Sequence, residues 1–436
     1  MPERSLYQAP VNGLSAISKS GLCVYCKGST RLCGKDRCPI VVRLYSRLKL
    51  ESLMKSTELD GTSPPGVFVG RFGYPHVYAG PLVPPIQGDT SLFDIPEYWF
   101  GRTIDEIVNF RSMLVRGKFR VDVRQPYDCG RLMDMTRELA LASNPLDLEV
   151  QLKNRPTASI VLDDDVQPYG PSALLKDMCM GNTKIDRSIE YAHYDSDLKA
   201  SEAVLSLYDK GVLVSKIQKG FSVGAFGLGK KRKIVPTRWS ITAVDSILSG
   251  HLMEKVRTYS IVNEYRVYES GYIDNRFEIL MMPERWSYES IEAWYPGSAW
   301  NPQGKEIVCY GDWEGFDGRT TYAAIGGCYY AARLAVTENL NRERRQACVA
   351  VLREAHPGYI MPVGVWQVRE NVRNAMRSEP LKFKTLREAL ERVASKLDIS
   401  LSTWIDSSKL LREALFQTKL TNFIHSIESR GSSKAE

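Results

Sequence analysis

The chain has 436 residues, with 58 Lys and Arg against 51 Asp and Glu, a net charge of +7, and nine cysteines. Hydrophobic residues make up 43% and charged residues 25%, a globular balance that excludes wholesale disorder. The longest uncharged stretch, Phe72–Gly88, holds four prolines and three glycines, so it cannot be a membrane helix, which needs about 20 mostly apolar residues.

The opening Met1-Pro2-Glu3-Arg4 starts no apolar leader, so the expectation is a soluble cytoplasmic protein with no membrane partner. At about 100–200 residues per domain the length allows two or three domains. The charge is not spread evenly. Between Lys19 and Lys49 lie eight Lys and Arg and one acid, Asp36, so this window alone carries the whole net charge. It also holds Cys23, Cys26, Cys33 and Cys38 in a Cys-x2-Cys-x6-Cys-x4-Cys pattern.

A Cys-x2-Cys turn brings two thiolates to one side of a tight loop, where both reach a tetrahedral Zn²⁺ at about 2.3 Å. Four thiolates fill every coordination position, which fits a structural zinc and not a catalytic one. The competing readings are four free thiols, or a redox pair at Cys23 and Cys26. Lys27, Arg31, Lys35 and Arg37 around the cysteines suit phosphate contact, as in basic zinc modules that bind nucleic acid. They suit equally a solvated segment whose cations balance the thiolates. Cys129, Cys179, Cys309, Cys328 and Cys348 are scattered and read as small core residues.

Gly61–Pro96 is rich in proline, glycine and aromatics and reads as irregular chain wrapped on a core surface. Thr103–Val115 reads as a helix, with Ile104, Ile107, Val108 and Leu114 on one side. Phe119, Val121 and Val123 alternate with charged residues, the pattern of a half-buried strand. Gly130–Ser143 reads as a second helix, and Leu148, Val150 and Leu152 as another alternating strand. The apolar run Ile160-Val161-Leu162 ends in Asp163-Asp164-Asp165, which is either a divalent-metal cluster at a strand end or, by preference, a solvated turn or a helix N-terminus.

Phe221–Trp239 sets Gly224, Gly227 and Gly229 before Lys230, Lys231, Arg232 and Lys233, with Arg238 following. Glycines let backbone approach a phosphate closely and the cations hold it. The glycine spacing matches neither a Walker A loop nor a dinucleotide fingerprint. The alternative is a flexible hairpin with a solvated basic tip. Asp312-Trp313-Glu314-Gly315-Phe316-Asp317-Gly318-Arg319 is a further candidate site or a structured surface loop. Thr320–His356 reads as mostly helical. In Thr385–Leu397 the residues Leu386, Ala389, Leu390, Val393 and Leu397 share one face behind a Thr385/Glu388 capping box.

The five histidines stand apart, and no Ser/His/Asp or Cys/His arrangement follows from their spacing. The chain closes with Gln417-Thr418-Lys419-Leu420-Thr421-Asn422-Phe423-Ile424, the Gln-x-x-aliphatic-x-x-aromatic-aromatic pattern except for Ile424. In a 3₁₀ turn, Leu420, Phe423 and Ile424 form one apolar plug with Gln417 as polar anchor. This is similar to the peptide that docks on the sliding clamp PCNA. The competing reading continues Leu410, Leu411, Ala414 and Leu415 into one amphipathic helix on the core.

These segments together resemble the Nre family of archaeal DNA-repair-associated proteins. The resemblance rests on CVYCKGSTRLCGKDRCPI, on the stretch ending KIVPTRWSITAVD and on the C-terminal peptide. It implies zinc ligands at Cys23, Cys26, Cys33 and Cys38, clamp contacts from Gln417, Leu420, Phe423 and Ile424, and a role in tolerating DNA damage. Ile424 in place of an aromatic predicts weaker clamp binding than a full match. No catalytic residue transfers.

The expected fold class is α+β, a mixed α/β arrangement: a small zinc-binding basic segment (1–55), a mixed-sheet domain (56–285), a largely helical C-terminal region (286–405) and a clamp-binding tail (406–436). The expected function is a DNA-repair factor, associated with the nucleoid, that binds DNA and is recruited to PCNA. The alternatives are an enzyme acting on nucleic acid or a nucleotide through 163–165, 224–238 and 312–319, and an RNA-binding protein.

Overall fold

Alternation of buried and exposed side chains builds the first of two large sheets. The computed structural model describes residues 37–39, 41–42, 44–45, 50, 56–125, 129–157, 169–301 and 304–416. The first sheet comprises β1 (Glu58–Ser63), β2 (Gly66–Val69), β3 (His76–Val83), β4 (Val115–Asp122), β5 (Leu146–Leu152) and β6 (Ser172–Met180), in the order β1-β5-β6-β4-β3-β2. Neighbours are antiparallel except β4 and β6. Helix α1 (Ile104–Met113) precedes β4 and α2 (Arg131–Leu141) follows it.

Leu148, Val150 and Leu152 face a core, while Asp147 and Glu149 face out. One face of the sheet is thus packed and the other solvated, as antiparallel sheets allow. The packed face meets α2 and three later helices: α4 (Ala200–Asp209), α5 (Val214–Ser222) and α6 (Thr237–Val256). The short α3 (Arg187–Tyr194) lies between β6 and α4.

The second sheet holds β8 (Tyr265–Gly271), β9 (Asn275–Met282), β10 (Ser287–Trp294), β11 (Val308–Glu314), β13 (Cys348–Ala355) and β14 (Leu381–Phe383), in the order β11-β10-β13-β9-β8-β14. A separate two-strand pair joins β7 (Ser260–Ile261) and β12 (Arg345–Gln346). Both faces of the second sheet are covered. One packs on α7 (Gly327–Glu343) and α8 (Trp366–Ala375). The other packs on α9 (Leu386–Ala394), α10 (Leu401–Ser407) and α11 (Lys409–Phe416).

The fold is therefore the expected mixture of helices and strands, and three predicted helices form as α1, α2 and α9. The capping box of α9 is made: the Glu388 amide donates to Thr385 Oγ1 at 3.3 Å, and the Thr385 amide to Glu388 Oε2 at 3.1 Å.

Other expectations change. Gly61–Pro96 is not irregular throughout: it holds β2, β3 and the end of β1. Pro81 fits within β3 opposite Val67. Helix α7 stops at Glu343, where Arg344 takes a left-handed conformation (φ 52, ψ 50), and β13 follows instead of more helix. All eight residues of β13 are buried, so it lacks the two-residue rhythm that marks a half-exposed strand.

The same cause hides β10 within residues 286–405, where β11 and the three-residue β14 also sit among the helices. Strands β8 and β9 precede residue 285 and β10 follows it, yet all belong to one sheet. The changeover between sheets falls between α6 and β8. Within 406–436, α11 packs Leu410 and Leu411 into the second sheet's core. Among the cysteines expected inside, Cys348 is buried, Cys179 is exposed, and Cys129, Cys309 and Cys328 are half-buried.

Helices α6 and α7 join the two halves. Val244, Leu248 and Leu252 of α6 enter the first core, whereas Met253 and Val256 enter the second. Asp245 in this helix is fully buried, and its oxygens accept from Arg369 Nη1 of α8 at 3.0 and 3.1 Å and from Gln218 Nε2 of α5 at 2.9 Å. Removing one partner of a buried pair leaves an uncompensated charge and costs about 3–5 kcal/mol. Asp245→Leu and Arg369→Leu are each expected to lower urea-unfolding stability by that amount. The double replacement should cost less than the sum of the two, which a double-mutant cycle measures.

Candidate nucleic-acid interface

The basic loop between α5 and α6 is held at one end of the first sheet by backbone hydrogen bonds. Strand β2 ends there, β3 begins there and β4 ends there, because the three are antiparallel neighbours. The Ile234 amide donates to the Val123 carbonyl just past β4 at 2.9 Å. The Val69 amide at the end of β2 donates to Thr237 Oγ1 at 2.8 Å. Residues 234–237 therefore cross beneath the strand ends. Gly224 turns the chain with φ +69, and a Cβ there would stand 2.9 Å from the Lys233 carbonyl oxygen.

The five cations predicted in this loop fall into two groups. Lys230, Lys231, Lys233 and Arg238 are exposed. Arg232 is 5% exposed. Its guanidinium donates to the carbonyls of Gly227 (2.7 Å), His193 (2.7 Å) and Asp195 (3.1 Å), so it clamps the loop onto the end of α3 and is turned away from any ligand. His193 Nδ1 donates to the Ala225 carbonyl at 2.9 Å. Burial lowers the His193 pKa, which keeps the ring neutral in this role. Gly229–Lys231 is a 3₁₀ turn, so the segment is a built loop and not a free hairpin tip.

The same end of the sheet carries aromatic and cationic side chains that the sequence reading did not single out. The β2–β3 turn presents Phe72 and Tyr74, and Tyr74 packs against Trp239 in the first turn of α6, with ring centroids 5.3 Å apart. Arg71 lies 5.1 Å from the Phe72 ring. On the open face, Tyr78 of β3 pairs with Arg120 of β4, and Lys118 (5.4 Å) and Arg120 (5.8 Å) both lie over its ring. Arg116 lies on the Tyr169 ring at 4.0 Å and 5.6 Å from Phe68. Asp122 is tied to Arg124 at 2.7 Å, and those hydrogen bonds hold its carboxyl well below the usual range.

The sequence signal for β4 was present, since its apolar residues alternate with cations. What was missing was the pairing that sets those cations beside Tyr78. The other half of the open face is acidic, with Glu58, Asp60, Asp147 and Glu149 exposed on β1 and β5.

The remaining predicted residues are placed as follows. Cys23, Cys26, Cys33, Lys27, Arg31 and Lys35 lie outside the described residues, as do Asp163–Asp165 and Gln417, Leu420, Phe423 and Ile424. Cys38 is half-buried and its carbonyl accepts the Val42 amide at 3.1 Å. Arg37 forks onto Asp105 of α1 at 2.5 and 2.6 Å, which joins the end of the cysteine window to the first domain.

Asp312 and Arg319 pair with each other at 2.7 Å, and the Ala324 amide also donates to Asp312. Glu314 is buried against Arg333 at 2.6 Å. This loop meets the far end of α6: Met253 touches it at Gly318, and Arg257 donates to the Phe316 carbonyl. At 1.5 Å per residue, Thr237 and Met253 of α6 are about 24 Å apart along the helix axis. The 224–238 and 312–319 segments therefore do not form one active site.

Among the described residues, Glu354, His356 and Asp398 approach one another closely enough to share a metal. Several of their polar atoms also serve structural contacts. Glu354 accepts the Ile399 and Asp398 amides and contacts His356 Nε2 at 3.1 Å, while Asp398 pairs with Arg276 at 2.7 Å. The cluster latches the α9–α10 connection to the end of β13. A cavity of about 460 Å³ opens where α4 and α5 meet α7 and α8, lined by Glu97, Tyr208, Glu338, Arg342 and Arg373. Arg373 is paired with Glu338 (2.7 Å) and Glu370 (2.9 Å), and Tyr208 donates to Glu338, so these groups serve the seam between the halves.

Residues 32–301 match the family model described as archaeal Nre, N-terminal, and residues 314–423 match archaeal Nre, C-terminal. The chain belongs to the archaeal Nre family. It is 40% identical over 397 residues to a protein of Archaeoglobus fulgidus named DNA repair protein NreB, covering 91% of this chain and 98% of that relative. It is 38% identical over 387 residues to DNA repair protein NreA of the same organism, covering 86% and 94%. With DNA repair protein NreA of Haloferax volcanii it shares 34% identity over 365 residues, covering 81% and 86%. No solved structure matches the chain. Among the described residues no helix is long and apolar enough to cross a membrane.

The Arg232 clamp gives this family member a direct test. Arg232→Met removes three hydrogen bonds from a charged donor and leaves one buried and two part-buried carbonyls without it, an expected cost of about 2–3 kcal/mol. Urea unfolding checks the cost, and amide exchange should quicken across residues 227–236 while β13 stays protected.

Proposed function

We propose that this chain is a DNA-repair protein that contacts nucleic acid through the cationic end of its first sheet. The observation that carries the reading is the gathering of Lys233 and Arg238 with Arg71, Lys118, Arg120 and Arg124 at and beside one set of strand ends, with Lys230 and Lys231 exposed on the same loop. The names of its relatives give the biological setting.

Cys23, Cys26, Cys33 and Cys38 hold a structural Zn²⁺ in this reading, and the neighbouring Lys27, Arg31 and Lys35 are further cations for phosphate contact. Arg37 is engaged by Asp105 and contributes little to that contact. The closing segment, with Gln417, Leu420, Phe423 and Ile424, recruits the protein to the sliding clamp PCNA. It follows directly on α11, whose Leu410 and Leu411 are anchored in the core and whose last residue, Phe416, is exposed.

Two measurements test the two contacts separately. Replacing Lys230, Lys231 and Lys233 with Ala should weaken DNA binding and flatten the plot of log affinity against log salt by about 0.9 for each phosphate no longer neutralised. An unchanged slope would remove the loop from the interface. Deleting residues 417–436 should abolish capture of PCNA in a pull-down while leaving DNA affinity intact; capture that persists would refute the tail assignment.

A further inference from the structure

We infer that the β2–β3–β4 strip of the open sheet face binds single-stranded nucleic acid, with bases stacked on Tyr78 and on the Phe72, Tyr74 and Trp239 rim. The inference rests on the nucleic-acid contact proposed above and narrows it to unpaired strands.

Three observations lead there. The first is exposure. Phe72 is 81% exposed, Tyr74 50%, Trp239 45% and Tyr78 38%. Large aromatic groups gathered at one end of a sheet form an apolar patch with a binding role.

The second is charge. Arg71 lies over Phe72, and Lys118 and Arg120 lie over Tyr78 at 5.4 and 5.8 Å. Aromatic rings each accompanied by a cation suit the alternation of base and phosphate along a strand, whereas an apolar protein partner would gain nothing from the cations. Stacking needs a free base face, which an unpaired base presents and a paired one in a duplex hides.

The third is width. The cationic strip spans β2 to β4, about 10 Å at the usual strand spacing. Beyond it, with only β6 between, β5 and β1 carry Asp147, Glu149, Glu58 and Asp60 on the same face. A duplex laid across the face would bring its second phosphate backbone over those carboxylates. One strand running along the strip avoids them. Tyr78 lies on the face and Tyr74 and Trp239 at its end, so the path is longer than a single base and turns toward the α6 N-terminus and Lys233.

The test is fluorescence anisotropy with the full chain and three labelled probes of about 15 nucleotides, a length that covers one such site: a mixed-sequence DNA strand, that strand annealed to its complement, and the matching RNA strand. The unpaired strand should bind at least ~10-fold tighter than the duplex. Phe72→Ala with Tyr78→Ala should weaken strand binding at least ~10-fold, since two bases lose their stacking partners, and duplex binding less than ~2-fold. Phe72→Trp with Tyr78→Phe keeps both rings and should restore affinity, which separates the stacking role from a disturbed sheet. The DNA and RNA arms identify which polymer the strip prefers. Equal binding of strand and duplex, or an alanine pair with unchanged strand affinity, overturns this inference and leaves the cationic contact standing. Failure of all three probes to bind overturns both.

Discussion

The structure depends on a buried charge at the junction of its two halves. Asp245, in the middle of α6, is held by Arg369 from α8 and by Gln218 from α5. Around it, Arg373 bridges Glu370 and Glu338, and Tyr208 reaches Glu338 from the other half. Such a network is not a large source of net stability, because desolvation of the ions offsets most of their attraction. Its effect is on geometry. A helix slid or rotated by one position would leave several of these ions unpaired in a dry seam. The apolar side chains of α6 are less selective, since they enter both cores along its length. The charges fix the register that the apolar contacts alone would leave loose.

That fixed helix decides what can happen at its two ends. Its first turn carries Arg238 and Trp239 and lies under the strand ends of the first sheet. Its last turn supports the Asp312–Arg319 loop. The helix therefore keeps two polar segments apart that a reader of the sequence is free to combine. Among the described residues, it also leaves one face of the first sheet uncovered by helices, because the helices that the seam gathers all pack on the other face. The second sheet is covered on both faces. Separation of the halves into one open sheet and one enclosed sheet is thus a consequence of where the shared helices lie.

Local signals were legible where they are self-contained. The Thr385/Glu388 box, the alternation in β5 and the apolar faces of α1 and α2 each depend on residues within one turn or one strand. Three kinds of information were not local. Strand β13 is buried throughout, so nothing in its composition separates it from the end of α7. Strands β2 and β3 hide among prolines and glycines, because a sheet tolerates Pro81 and Gly80 where pairing and close approach permit them. The role of Arg232 was also invisible. It is one of four consecutive cations, and only the fold decides that this one turns inward to three carbonyls while its neighbours face solvent. The candidate site was half legible for the same reason: the loop stood out as a basic run, while Tyr78, Lys118 and Arg120 come together only through the β3–β4 register.

The charge of the chain takes a different meaning once the sheet is known. Net charge located the basic excess in the cysteine window and left the rest formally neutral. Neutrality over several hundred residues permits strong local fields of both signs, and the open sheet face shows one. Its exposed acids lie on β1 and β5 and its cations on β4, on β6 at Lys176 and on the loop beyond β2. These charges cancel in a sum but not at the surface, where screening limits their reach to about 8–10 Å, close to the distance across two strands. A polyanion approaching this face is attracted on one side and repelled on the other. The line between them runs along the strands, so the charge pattern sets both where a nucleic acid can lie and in which direction it can run.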